Sequence, residues 1–90
     1  MAQNKFRVEV RPALQRDLKK IDLRYHKAIW DKIEALAEDP LPYDCAKLKT
    51  EKAMFRIRIG VYRLVYEIDW KNAIIYAAYI KTRQSSYKKR

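Results

Sequence analysis

Arg56, Arg58 and Arg63 fall within one short apolar stretch, residues 56–66, which reads RIRIGVYRLVY. Guanidinium groups bind phosphate in bidentate fashion and keep their charge. Fixed in place, such donors stabilise negative charge that builds up in a reaction. A close group of them is therefore a candidate phosphate site, provided the chain brings them to one face. Like charges that face each other across strands oppose pairing, so stability alone does not account for the cluster.

The elements that must hold these arginines are legible from periodicity. Phe55, Ile57 and Ile59 alternate with Arg56 and Arg58; Tyr62, Leu64, Tyr66 and Ile68 alternate with Val61, Arg63, Val65 and Glu67. Ile74, Tyr76, Ala78 and Ile80 alternate with Ala73, Ile75, Ala77 and Tyr79. A period of two marks strands. Gly60, the only glycine of the chain, sits where a tight hairpin needs positive φ, and Asp69–Asn72 supplies a second turn. With Gly60-Val61 as a two-residue loop, Ile59 pairs with Tyr62, Arg58 with Arg63, Ile57 with Leu64 and Arg56 with Val65. Paired side chains share a face. A second hairpin centred on Lys71 is expected to pair Tyr66 with Tyr76 and Leu64 with Ala78, with Tyr79 opposite Arg63 and Lys81 near Val61. One face then carries Ile57, Ile59, Tyr62, Leu64 and Tyr66. The other collects Arg56, Arg58, Arg63, Tyr79 and Lys81, with Arg83 and Tyr87 just beyond the last strand. An ordinary solvated face would pair Glu67 with one of the arginines. Three arginines across two strands, with one carboxylate in range, read instead as a place for a phosphate.

The first half of the chain supplies the cover. Phe6, Val8 and Val10 alternate with Lys5, Arg7, Glu9 and Arg11, as in a half-buried strand. Pro12 suits the first turn of a helix, where its missing N–H costs nothing. Leu14, Leu18 and Ile21 then form one apolar helical stripe. Asp22 is expected to cap a second helix with Tyr25, Ile29, Ile33, Leu36 and Ala37 inward, ended by Asp39-Pro40. Residues 41–50 have no periodicity and read as a loop. The resulting order is β-α-α-β-β-β: an α+β fold, two helices packed on one face of a mostly antiparallel four-stranded sheet. Residues 1–90 read as a single domain with no repeat or linker. The basic tail, residues 82–90, is too polar for the core and is expected to be mobile.

Charge points the same way as the arginines. The net charge of +10 is uneven. Residues 1–45 carry nine Lys/Arg and eight Asp/Glu, whereas residues 46–90 carry twelve Lys/Arg and only Glu51, Glu67 and Asp69. An excess held in one half suggests a polyanion-binding surface. Nucleic acid fits better than membrane, because no basic amphipathic anchor accompanies it. No apolar run approaches the roughly 18 residues of a membrane span, and the N-terminus has no apolar secretory segment. The lone Cys45 cannot form an internal disulfide, so a reducing, cytoplasmic setting is expected.

The hairpin FRIRIGVYRLVYEID resembles the RelE/ParE superfamily of toxins from toxin–antitoxin pairs, which favours Y/F-x-I-x-x-G-x-Y-R-x-x-Y-x-I there. The element order over nearly all 90 residues, and a tail with Arg83 and Tyr87 four apart, extend the resemblance. It implies a RelE-like toxin domain whose sheet is similar to that of small microbial ribonucleases. RelE-like members cut messenger RNA in the ribosomal A site without metal or cofactor. The ribose 2′-OH attacks its own 3′-phosphate and leaves a 2′,3′-cyclic phosphate. ParE-like members share the fold and poison DNA gyrase; that alternative stays open, as does a catalytically weak basic module that binds RNA or the ribosome. A cognate antitoxin wraps and neutralises either kind, and the complex often represses its own operon by binding operator DNA. By this resemblance Arg63 holds the scissile phosphate, and Arg56, Arg63 and Arg83 supply the catalytic positive charge for the phosphorane. Arg56 and Arg58 stand where relatives carry basic strand residues, and Arg83 and Tyr87 lie near the cleaved nucleotide. Lys81-Thr82 stands where several relatives have Gly-His, so that histidine is missing here. Guanidinium does not deprotonate usefully, which leaves Lys47, Lys49, Lys52 and Lys81 as phosphate contacts and candidate bases.

The remaining chemistry-bearing residues have structural readings. His26 reads as a boundary histidine, and Lys27/Asp31 as a helical i,i+4 pair. Tyr62, Tyr66 and Tyr76 read as core; Trp30 and Trp70 fit either core or an antitoxin contact. The carboxylates form no metal-ligand cluster, and no metal is assigned.

Overall fold

The computed structural model describes residues 5–48 and 53–82. Strand β1 (Arg7–Val10) leads into helix α1 (Pro12–Lys19). A 3₁₀ turn (Leu23–Tyr25) then opens into helix α2 (His26–Glu38). Strands β2 (Cys45–Lys47), β3 (Met54–Ile59), β4 (Tyr62–Asp69) and β5 (Ile74–Thr82) follow. The sheet order is β1-β5-β4-β3-β2, and only the β1–β5 pair is parallel. The class is the expected α+β arrangement. The sheet has five strands rather than four, because three residues of the anticipated 41–50 loop pair with β3. Three residues are too few to display a period.

Both helices start and stop for local reasons. Pro12 occupies the first turn of α1, and the preceding Arg11 N–H is used by the Ala77 carbonyl at 3.0 Å. Asp22 does cap, but it caps the 3₁₀ turn rather than α2 directly, accepting from the Arg24 N–H at 3.0 Å. That bond is also what holds the Asp22 carboxyl below its usual pKa. The His26 ring nitrogen lies 3.0 Å from the Ile21 carbonyl and ties the start of α2 to the turn, so this histidine is structural. Lys27 and Asp31 pair at 3.0 Å along α2. The helix ends before Pro40, as the proline requires.

The core lies between the helices and one side of the sheet. Leu14, Leu18, Ile29, Ile33 and Leu36 meet Ile57, Leu64, Tyr66, Ile75 and Ala77. Each large side chain buried this way contributes on the order of 1.5–3 kcal/mol. Tyr66 is fully buried as a ring, and its hydroxyl donates to the Pro40 carbonyl at 2.8 Å, which fastens the loop after α2 to the sheet. Burial pushes that hydroxyl's pKa far up, so it stays a neutral donor. Gly60 takes φ +62°, as the first central residue of this hairpin loop must, and its register is the one expected: Ile59↔Tyr62, Arg58↔Arg63, Ile57↔Leu64, Arg56↔Val65.

The second hairpin departs from expectation. Asp69 pairs with Ile74, Ile68 with Ile75, Glu67 with Tyr76 and Tyr66 with Ala77; Ala78 is then skipped, and Val65 pairs with Tyr79, Leu64 with Ile80 and Arg63 with Lys81. The core-facing residues of β5 are therefore Ile75, Ala77 and Ile80. Tyr76, expected in the core, shares the opposite face with Glu67. Two causes combine. The turn runs through Ala73, which adopts φ +56°, so its centre lies beyond Lys71. An extra residue then bulges out at Ala78, and a bulge leaves backbone groups without ladder partners. The Ile80 N–H finds its acceptor in the Asp17 carboxylate of α1 at 2.9 Å.

Two expected outcomes follow from these features. Asp17→Ala orphans the Ile80 N–H and lowers stability in urea unfolding by about 1–3 kcal/mol, whereas Asp17→Asn, which keeps a carbonyl acceptor, loses less. Ala73→Gly removes the left-handed strain and raises stability by about 1 kcal/mol in the same assay.

Candidate phosphate-binding face

The face of the sheet away from the helices can be read in rows across the strands. At the Gly60 end, Arg58 on β3, Arg63 on β4 and Lys81 on β5 stand side by side. The next row holds Ala46, Arg56, Val65 and Tyr79. The third holds Met54, Glu67, Tyr76 and Glu9, and the fourth Asp69, Ile74 and Arg7. Neighbouring strands are about 4.8 Å apart and alternate residues of one strand about 6.7 Å, so the first two rows place four cations within a patch the size of a dinucleotide.

Among the described residues, every carboxylate of this face is already engaged. Glu9 pairs with Arg7 at 2.9 Å, and Glu67 with Arg11 at 3.5 Å. Asp69 accepts from the Asn72 side chain and backbone N–H, both at 3.0 Å, and these bonds lower its pKa. The Arg11 guanidinium also lies 4.4 Å from the centre of the Tyr76 ring. Glu67, the one acid in sequence range of the arginines, is thus drawn to the β1 side. Among the described residues, Arg56, Arg58 and Arg63 have no ion pair or hydrogen-bond partner through their side chains. Arg63 is half-buried between its neighbours, while Arg56, Arg58 and Lys81 are exposed. Beside the row, Arg58, Gly60, Val61, Tyr62 and Arg63 line a shallow open depression at the hairpin tip.

The structure therefore brings together Arg56, Arg58, Arg63 and Lys81. Lys47 is different: it pairs with Phe55 at the β2 edge and so belongs to the helix side of the sheet. Lys49, Lys52, Arg83 and Tyr87 lie outside the described residues. Arg11, Tyr76 and Asp17 escaped sequence reasoning. Arg11 and Tyr76 meet only through the parallel β1–β5 pairing, which no local pattern announces. On the helix side, Leu23, Trp30, Leu41 and Tyr43 are exposed apolar residues, Tyr43 completely so. Trp70 is also exposed, its ring edge-on to Phe6 at 5.6 Å, so neither tryptophan is core.

A row of like charges at cross-strand distance opposes folding. Arg58→Thr is expected to stabilise the protein by about 0.2–1 kcal/mol at low salt in thermal unfolding, with the gain fading as salt screens the repulsion.

Comparison with known proteins places this geometry in a family. The family model described as the ParE toxin of the type II toxin–antitoxin system parDE matches residues 8–87. A curated protein of Methanocaldococcus jannaschii, named "Putative toxin RelE1", is 33% identical over 87 residues, covering 93% of this chain and 97% of that one. Among solved structures, the Mycobacterium tuberculosis toxin–antitoxin complex RelBE2 is similar with TM-score 0.79 and 26% identity, over 91% of this chain and 95% of that one. The RelE–RelB complex from Pyrococcus horikoshii matches in fold with TM-score 0.78 and 24% identity, over 88% and 96% of the two chains. The chain belongs to the ParE toxin family of type II toxin–antitoxin systems, within the RelE/ParE superfamily, and is RelE-like in fold.

Proposed function

We propose that this toxin is a ribosome-dependent endoribonuclease that cuts messenger RNA in the A site by attack of a ribose 2′-OH on the adjacent phosphate, without metal. The observation that carries the reading is the row of Arg58, Arg63 and Lys81 with Arg56 behind it, on a face where, among the described residues, no acid is free to neutralise it. In-line attack builds negative charge on the phosphorane. Preorganised guanidinium groups stabilise that charge. Arg63 is central and half-buried, and it is assigned the scissile phosphate. Arg56 and Arg58 hold the neighbouring backbone, and Arg83 and Tyr87 are assigned to the cleaved nucleotide. Lys81 is the candidate base on this face among the described residues, since the arginines do not give up their protons.

The partners follow from the family and the surface. A cognate antitoxin neutralises the toxin; similar structures solved as RelE–RelB complexes support this, and exposed Leu23, Trp30, Leu41 and Tyr43 are suited to a protein contact. Operator DNA is a partner only of the toxin–antitoxin complex. Ribosomes and messages place the activity in the cytoplasm. Among the described residues no helix is long and apolar enough to cross a membrane. The match to a ParE family model favours one second reading, inhibition of DNA gyrase.

Induction in cells, with message ends and DNA breaks mapped together, separates the two. Cuts within translated codons that fall at least 100-fold in Arg63→Ala are expected. Intact messages with an SOS response would sink the ribonuclease reading and favour gyrase.

A further inference from the structure

The bulge in β5 has a chemical consequence. Continued alternation from Ile75 and Ala77 would turn residue 79 toward the helices; skipping Ala78 turns Tyr79 and Lys81 onto the arginine face instead. Bulges commonly re-aim side chains beside functional sites. Here the Asp17 carboxylate on the Ile80 N–H holds the irregularity in place. The effect is to set one aromatic ring a single row, about 6.7 Å, from the Arg58–Arg63–Lys81 row.

The two tyrosines of this face are not equivalent. The Tyr76 ring is covered by the Arg11 guanidinium at 4.4 Å, and Arg11 is itself tied to Glu67. Among the described residues, the Tyr79 ring has only the Lys81 ammonium, at 5.8 Å, near the limit of a useful cation–π contact. Its hydroxyl has no hydrogen-bond partner among the described residues. Its cross-strand neighbour Val65 is only 3% exposed although no described helix covers this face, so the ring stands beside a buried apolar residue as well as the cations.

We propose that Tyr79 is a nucleobase platform: an unpaired base of single-stranded RNA stacks on its ring while the attached phosphate lies on Arg58, Arg63 and Lys81. The inference rests on the reading of this face as an RNA site. Unpaired RNA is the committed ligand, because duplex bases are already stacked and closed to such a ring. Base–aromatic stacking is worth roughly 5- to 100-fold in affinity.

The test is anisotropy binding of a labelled 2′-O-methyl octaribonucleotide, which cannot be cleaved by 2′-OH attack, and of the same backbone without bases. Tyr79→Leu keeps an apolar cover over Val65 but has no π-face; it is expected to weaken the base-bearing strand roughly 5- to 100-fold and leave the abasic strand unchanged. Tyr79→Phe is expected within about twofold of the wild type, because phenylalanine retains the ring face that carries stacking. Arg63→Ala weakens both strands and reduces the salt dependence by about one phosphate contact. Wild-type affinity in Tyr79→Leu, or an equal loss on both strands, overturns the platform while Arg63→Ala still reports the phosphate site. Failure of the wild type to bind either strand overturns the platform, whereas cleavage on the ribosome is tested separately by the message ends mapped in cells.

Discussion

The bond from the Ile80 N–H to the Asp17 carboxylate is the constraint on which the working face depends. Strand β5 runs between β1 and β4, parallel to one and antiparallel to the other, and is held from both sides. It must give Ile75, Ala77 and Ile80 to the core and Tyr79 and Lys81 to the opposite face. No regular strand does both, since alternation would carry residues 75, 77, 79 and 81 to one side. A lysine sent beneath the helices would face a heavy desolvation penalty. One extra residue at Ala78 resolves the conflict, and α1 supplies the acceptor that the interrupted ladder lacks.

Charge on the sheet is separated by the same topology. The parallel pairing of β1 with β5 brings Arg7 and Arg11 to the acidic side of the face, where Arg7 engages Glu9 and Arg11 engages Glu67 and the Tyr76 ring. Among the described residues, the β3–β4 hairpin end carries cations and no acid. Local rules of sheet stability are broken there and satisfied a row or two away. Such violations tend to collect where function needs them.

Much of the site was legible in the sequence because the β3–β4 hairpin is a local object. Gly60 fixes its turn, two residues of loop fix its register, and period two then fixes which arginines share a face. The helices were legible for the same reason: Pro12, Asp22 and Pro40 punctuate two apolar stripes. The β4–β5 register was harder to read. Its turn has no glycine to mark the centre, and Ala73 takes the left-handed conformation that a glycine would have advertised. In β5 itself, Ile74-Ile75 and Ala77-Ala78 offer apolar residues of both parities, so the pattern tolerates either assignment. That ambiguity hides the outward facing of Tyr76. Strand β2 leaves no mark in the sequence, because three residues carry no periodic signal.

By itself, then, the sequence determined the elements, the α+β class, the basic hairpin with its pairing, and the excess of positive charge in the second half of the chain. These are properties of neighbours along the chain, set by turn chemistry and alternation. Tertiary structure alone decided that Glu67 serves Arg11 rather than the arginine cluster, and that Lys47 belongs to the helix side. It also decided that Tyr79 and Lys81 join Arg63 through a bulge held by a carboxylate 63 residues away. Those outcomes depend on contacts between distant segments, where one skipped residue reverses the facing of all that follows.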